Sequence, residues 1–184
     1  MSPMAMKIAL GGAERKLMLE SMLEPQAVAV IGASRTPGKV GHELVANLLA
    51  GKFAGKIVPV HPSAKDILGL PCYPDLQAYG KPVALARVAV PTTGVLAAAE
   101  GAISAGAKAI CVVSAGFKEV GAEGAKRELA LVEACRAGNA RLLGPNCLGL
   151  INVHHCMNAS FAKRVPPAGG ISVLSQSGAL FTAI

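Results

Sequence analysis

Residues 32–41 read Gly-Ala-Ser-Arg-Thr-Pro-Gly-Lys-Val-Gly, directly after the apolar run AVAVI at 27–31. Glycine at 32, 38 and 41 allows a tight turn and lets backbone come close to a ligand or a neighbouring helix. A helix that follows such a turn aims its first N–H groups at the loop, which makes an anion site. Ser34 and Thr36 add hydroxyls, and Arg35 and Lys39 add positive charge. This is chemistry suited to a phosphate. A Gly-rich strand-to-helix turn with no ligand would use the same glycines, so the loop alone does not decide.

A second candidate lies after the next apolar run, in VPVHPSAK at 58–65. A dinucleotide site carries GxGxxG in its first turn and an acid at the end of strand two, which takes the ribose 2′-hydroxyl. Here position 34 is Ser, residues 58–65 hold no carboxylate, and Lys65 closes the segment. A cation there fits a phosphate on the adenosine ribose, which NADP and coenzyme A carry and NAD lacks.

A further candidate is SQSG at 175–178. Ser175 can cap a helix starting near Gln176, with Ser177 and Gly178 in its first turn, and such an N-terminus also receives phosphate. In GPNCLG, at 144–149, Asn146 can bond backbone or ligand. Cys147 has no His or acid spaced to activate it and reads as structural. His154, His155 and Cys156 are neighbours in what reads as an extended segment, so they point to opposite sides and no metal is expected.

The elements that must position these residues follow from composition and rhythm. Of the 184 residues, 52% are hydrophobic and only 16% charged, which excludes a disordered chain. Apolar runs at 27–31, 57–60, 85–90, 108–113, 140–143 and 171–174 alternate with helical patterns at 40–50, 94–105 and 121–137. Each crossover is long enough for a right-handed βαβ unit, and the runs are predominantly apolar, as in strands buried on both faces. The fold class is therefore α/β, with a doubly wound, mostly parallel sheet. Ligands of such sheets bind beyond the carboxyl ends of the strands. Residues 1–24 read as a leader and a short helix at 13–23, residues 25–165 as the main domain, and 166–184 as the start of a second one.

The net charge of +7 comes from scattered cations without a dense basic run, and the chain holds few aromatics. That argues against nucleic acid as a partner. The long uncharged stretches at 142–162 and 165–184 are broken by Pro, Gly, Asn, His or Gln, so no membrane span is expected. Five cysteines without a CxxC pair indicate a reducing, cytoplasmic setting.

Six segments together resemble the NDP-forming acyl-CoA synthetase family. They are LEPQAVAVIGAS (23–34), VHP (60–62), AVP (89–91), VVSAGFKE (112–119), GPNCLG (144–149) and SQSGAL (175–180). The chain is similar to the succinyl-CoA synthetase α-subunit, and more so to ADP-forming acetyl-CoA synthetases. Ala115 stands where the succinyl branch has Glu. The resemblance implies a Rossmann-like domain followed by the first strand and helix start of a flavodoxin-like one. It also implies a site for coenzyme A built from Gly32, Ala33, Ser34, Arg35, Thr36 and Pro37, with Lys39 and Lys65 contributing charge. Val90, Pro91, Thr92, Val113, Ser114, Ala115 and Asn146 complete that site. In the family, the SQSG helix holds the phosphate of a phosphohistidine that lies further along the chain, and an ATP-grasp domain or subunit binds the nucleotide. The 184 residues are thus expected to be a fragment that binds CoA and catalyses nothing alone. Two other readings stay open: a CoA-binding regulatory module, fused to a protein-lysine acetyltransferase or standing alone, and an NAD(P)-dependent oxidoreductase domain. The acyl substrate and the oligomeric state stay unassigned.

Overall fold

The computed structural model describes residues 19–178 and residue 180. Residues 19–23 are helical, and the earlier part of the helix expected over 13–23 lies outside the described residues. The chain then runs through β1 (Ala27–Ile31), α1 (Val40–Ala50), β2 (Lys56–Val60), and a small hairpin of β3 (Asp66–Ile67) and β4 (Leu70–Pro71). A single helical turn, α2 (Leu76–Tyr79), leads to β5 (Leu85–Val88), α3 (Thr92–Ser104) and β6 (Ala109–Val112). There follow α4 (Ala122–Ala137), β7 (Arg141–Leu143) and a second hairpin, β8 (Gly149–Asn152) with β9 (Met157–Ser160).

The main sheet has the order β2-β1-β5-β6-β7, and every pair in it is parallel. Alternate residues of each strand feed opposite faces. Ala29, Val58, Val60, Ala86, Val88, Ile110 and Val112 pack with Val95, Ala99 and Ala102 of α3 and with Leu131 and Cys135 of α4. Val28, Val30, Leu85, Ala109 and Cys111 pack on the other side with Leu44, Val45 and Leu48 of α1. Burial on both faces is why β1, β2, β5 and β6 read as largely apolar runs. Truncating Leu44 or Leu48, both fully buried, to Ala would cost about 2–5 kcal/mol.

The β8–β9 hairpin covers the rest of the α1 face with Leu150, Met157 and Ala159. Asn47 of α1 fixes it there, donating from Nδ2 to the carbonyls of Ser160 (2.8 Å) and Ala162 (3.0 Å). His154 and His155 lie in a 3-10 turn at its tip, not in the extended segment expected. Their spread has another cause: His154 Nε2 faces the Gly169 carbonyl, whereas His155 Nε2 faces that of Pro25.

The strand expected at 171–174 does not form among the described residues. A strand needs a ladder partner, and this segment pairs with none; Ile171 and Leu174 are 90% and 96% exposed. Among the described residues no helix is long and apolar enough to cross a membrane, and no group of three or more His, Cys, Asp or Glu could hold a metal ion.

Candidate functional site

The first crossover carries the chain from β1 to β2 on one side of it, and the next returns it to β5 on the other. The crevice of a doubly wound sheet opens at this reversal, beyond the carboxyl ends of β1 and β5. Gly32 makes the crossing close: with φ +88°, a Cβ there would sit 2.5 Å from the Ala89 carbonyl oxygen and 2.9 Å from Val90 Cγ1. Gly41 performs the same service for α1, because a Cβ on it would lie 1.9 Å from the Gly32 oxygen. Only glycine at both positions lets strand, turn and helix meet. The amides of Gly32 and Ala33 are turned back to the Val60 carbonyl (3.0 and 3.2 Å), which ties the turn to β2.

The expected site residues gather at this edge as follows. Ser34 is half-buried, and its hydroxyl oxygen accepts the Thr36 N–H (3.1 Å). Arg35, Thr36, Pro37 and Lys39 are exposed around the turn. Arg35 donates from Nη2 to the Asp66 carboxylate (2.8 Å) and from Nε to the Asp66 carbonyl (2.9 Å), which brings the segment holding Lys65 beside the turn. That segment is held by His61, whose Nδ1 accepts the N–H groups of Ser63 (3.2 Å) and Ala64 (3.1 Å).

Beyond β5, β6 and β7 the loops are stitched to one another. Ser114 donates its hydroxyl to the Val90 carbonyl (2.5 Å), Thr92 donates to that of Ala115, and Asn146 N–H donates to the Ser114 carbonyl (3.0 Å). Val90, Pro91, Thr92, Val113, Ser114, Ala115 and Asn146 therefore share one rim. The Ser114 and Thr92 protons are committed to backbone, so these side chains shape the rim and offer a ligand only oxygen lone pairs.

Two acids that no motif spacing marks, Glu43 and Asp66, also stand here. Glu43 accepts the Gly38 N–H (2.9 Å). That bond, followed by the contact with His42, holds its carboxyl below the usual value. Asp66 pairs with Arg35. Glu119 plays the corresponding part after β6, accepting the Gly116 N–H (2.6 Å), and is lowered chiefly by that bond. Asp66 directly follows Lys65, yet its partner is 31 positions away, and no local pattern announces such a pair.

The SQSG segment differs in register from the expectation. Ser175 Oγ accepts the Ser177 N–H (3.0 Å), but it is Ser177 Oγ that accepts the Leu180 N–H (3.2 Å). Helical backbone begins at Gly178, so Ser177 is the capping residue and not Ser175. Gln176 stays in the turn before it.

A parallel doubly wound sheet with a cation-bearing Gly turn at its reversal defines an α/β domain for a phosphate-bearing ligand of nucleotide type. More particularly, the chain belongs to the CoA binding domain family, whose pattern matches residues 26–153. It is 44% identical over 166 residues to an ADP-forming acetate–CoA ligase of Archaeoglobus fulgidus, covering 90% of this chain and 24% of that one. The corresponding ligase of Methanocaldococcus jannaschii is 41% identical over 170 residues, covering 92% and 24%. Among solved structures, acetyl-coenzyme A synthetase 1 of Ca. Korarchaeum cryptofilum, in complex with phosphate and ADP, superimposes with a TM-score of 0.87. Identity there is 37%, over 91% of this chain and 36% of that one. The chain spans about a quarter of the length of the ligases it matches.

Proposed function

We propose that this chain is the CoA-binding part of an ADP-forming acyl-CoA synthetase, the larger protein interconverting acyl-CoA, ADP and phosphate with acid, CoA and ATP. The observation that carries the reading is the meeting of the Gly32–Pro37 turn with the 90–92, 113–115 and 146 rim at the sheet reversal. Similarity to ADP-forming ligases along nine-tenths of the chain supports it. CoA supplies the thiol that takes the acyl group. The chain's residues bind and orient it: Arg35, Lys39 and Lys65 face its phosphates, and the stitched rim sets the path of its pantetheine arm. Arg35 exchanges Asp66 for a phosphate. An exposed ion pair is worth about 0–1 kcal/mol, so the exchange meets little resistance. Residues 166–184 begin a second domain, in which Ser175, Gln176, Ser177 and Gly178 receive the phosphate of a phosphohistidine. An ATP-grasp domain or subunit is the partner, the setting is cytoplasmic, and this chain alone does not turn over.

Calorimetric titration of the chain with CoA, NAD and NADP tests the reading. CoA is expected to bind, with NAD silent. Binding of NAD or NADP without CoA would overturn it in favour of a dehydrogenase domain.

A further inference from the structure

Arg87 is the one charged side chain among the largest fully buried ones, at 0% exposure in the middle of β5. Its Nη1 contacts Cys111 Sγ, its Nε and Nη2 have no partner, and no carboxylate pairs with it among the described residues. A Cβ at Gly149 would lie 2.6 Å from Nη2, so the guanidinium fills the space where the loop after β7 enters β8. A buried charge demands an opposite charge or full hydrogen bonding. The acidic groups at hand are two thiols. Cys111 is fully buried on β6, whereas Cys147 is half-buried in the β7 loop, with its Sγ 3.6 Å from Cys111 Sγ and 3.2 Å from the Val112 carbonyl.

We propose that Cys147 is an oxidant-sensitive cysteine beside the buried Arg87–Cys111 contact, and that Cys111 resolves its oxidised form to a Cys111–Cys147 disulfide. The two sulfurs have distinct roles. The hydrogen bond from Cys111, then the charge of Arg87, draw the Cys147 thiol down to about 7, while burial pushes the Cys111 thiol up. Cys147 thus loses its proton first and Cys111 keeps its own, which is the order a nucleophile and its resolving partner require.

The oxidant is a hydroperoxide. Cys147 sulfur attacks the terminal peroxide oxygen, the O–O bond breaks, and the alcohol leaves after its alkoxide takes a proton from water. Cys111 sulfur then attacks the Cys147 sulfenic acid, and the displaced hydroxide leaves as water with the Cys111 proton. Two thiols and one hydroperoxide give one disulfide, one alcohol and one water. The sulfurs must close from 3.6 Å to about 2.05 Å, a movement the loop of Cys147 can supply. Cys135 lies on the opposite face of the sheet, and Cys156 is exposed.

The test uses the full chain carrying Cys156→Ser, treated with hydrogen peroxide, alkylated and digested with trypsin. Mass spectrometry is expected to find peptide 109–118 joined to peptide 142–163, and dithiothreitol to release them. Adding Cys111→Ser should abolish the link and leave Cys147 as a sulfenic acid that dimedone captures. The proposal is overturned if both thiols stay reduced while Cys72 oxidises, or if Cys147 pairs with any other thiol. It stands or falls independently of CoA binding, because no ligand is added.

Discussion

The two halves of the sheet edge are built by different means. The β1–β2 half, tied to β2 by the Gly32 and Ala33 amides, presents an exposed Arg35–Asp66 ion pair, with the Glu43 carboxylate on the Gly38 amide. The β5–β6–β7 half is sewn by Ser114, Thr92 and the Asn146 amide, each bonded to a neighbouring loop's backbone. In the function proposed above, the first half would trade the Arg35 partner for a phosphate, while the second is shaped by bonds between its own loops. A binding edge made this way would have an adaptable end for charge and a fixed end for positioning.

The largest effect is expected where α1 meets the turn of the β1–β2 half. In Gly41→Val the new side chain meets the Gly32 carbonyl, so α1 must move off the turn. Overpacking of this kind costs about 1–3 kcal/mol and occasionally more. A clear fall in Tm and loss of CoA binding are expected in thermal melts and titration. Ser114→Ala should cost about 1 kcal/mol and loosen the fixed half. Urea unfolding would show it as a lower midpoint with an unchanged slope, and faster hydrogen exchange should be confined to the loops after β5 and β6.

Acid should loosen both halves. Glu43 and Glu119 are held below their ordinary value of 4.5 by the Gly38 and Gly116 amides. A carboxyl lowered in the folded state stabilises above its unfolded pKa and loses that contribution as pH falls through the folded one. Stability should therefore be level above about pH 5 and decline below about 4.5. The double variant Glu43→Gln, Glu119→Gln should flatten that decline in pH-dependent melts. The smallest effect is expected from Asp66→Asn. Stability should change by no more than about 1 kcal/mol, while CoA affinity rises a few-fold because Arg35 no longer has a competing acid.

Much of this was legible in residue order. The strands β1, β2, β5 and β6 are visible because burial on both faces makes them largely apolar, β7 shows only as a short apolar run at the sheet edge, and α1 lies where its pattern places it, at Val40–Ala50. The Gly32–Gly41 turn is legible because close backbone approach leaves glycine as its mark. The hairpins are not: β3 and β4 have two residues each, and β9 reads Met-Asn-Ala-Ser. The run at 171–174 shows the reverse, since its composition suits a strand but it finds no ladder partner among the described residues. The Arg35–Asp66 pair and the Arg87–Cys111–Cys147 cluster join residues at least 24 positions apart, so they emerge only once the sheet has folded.

The adaptable half is most directly tested by titrating CoA and 3′-dephospho-CoA into the chain and into its Lys65→Ala variant. If Lys65 meets the ribose phosphate, removing that phosphate should weaken binding about tenfold or more, as expected for a charge-assisted hydrogen bond, and the variant should no longer distinguish the two ligands. Equal affinity of the unaltered chain for both would contradict the account of a phosphate-reading edge.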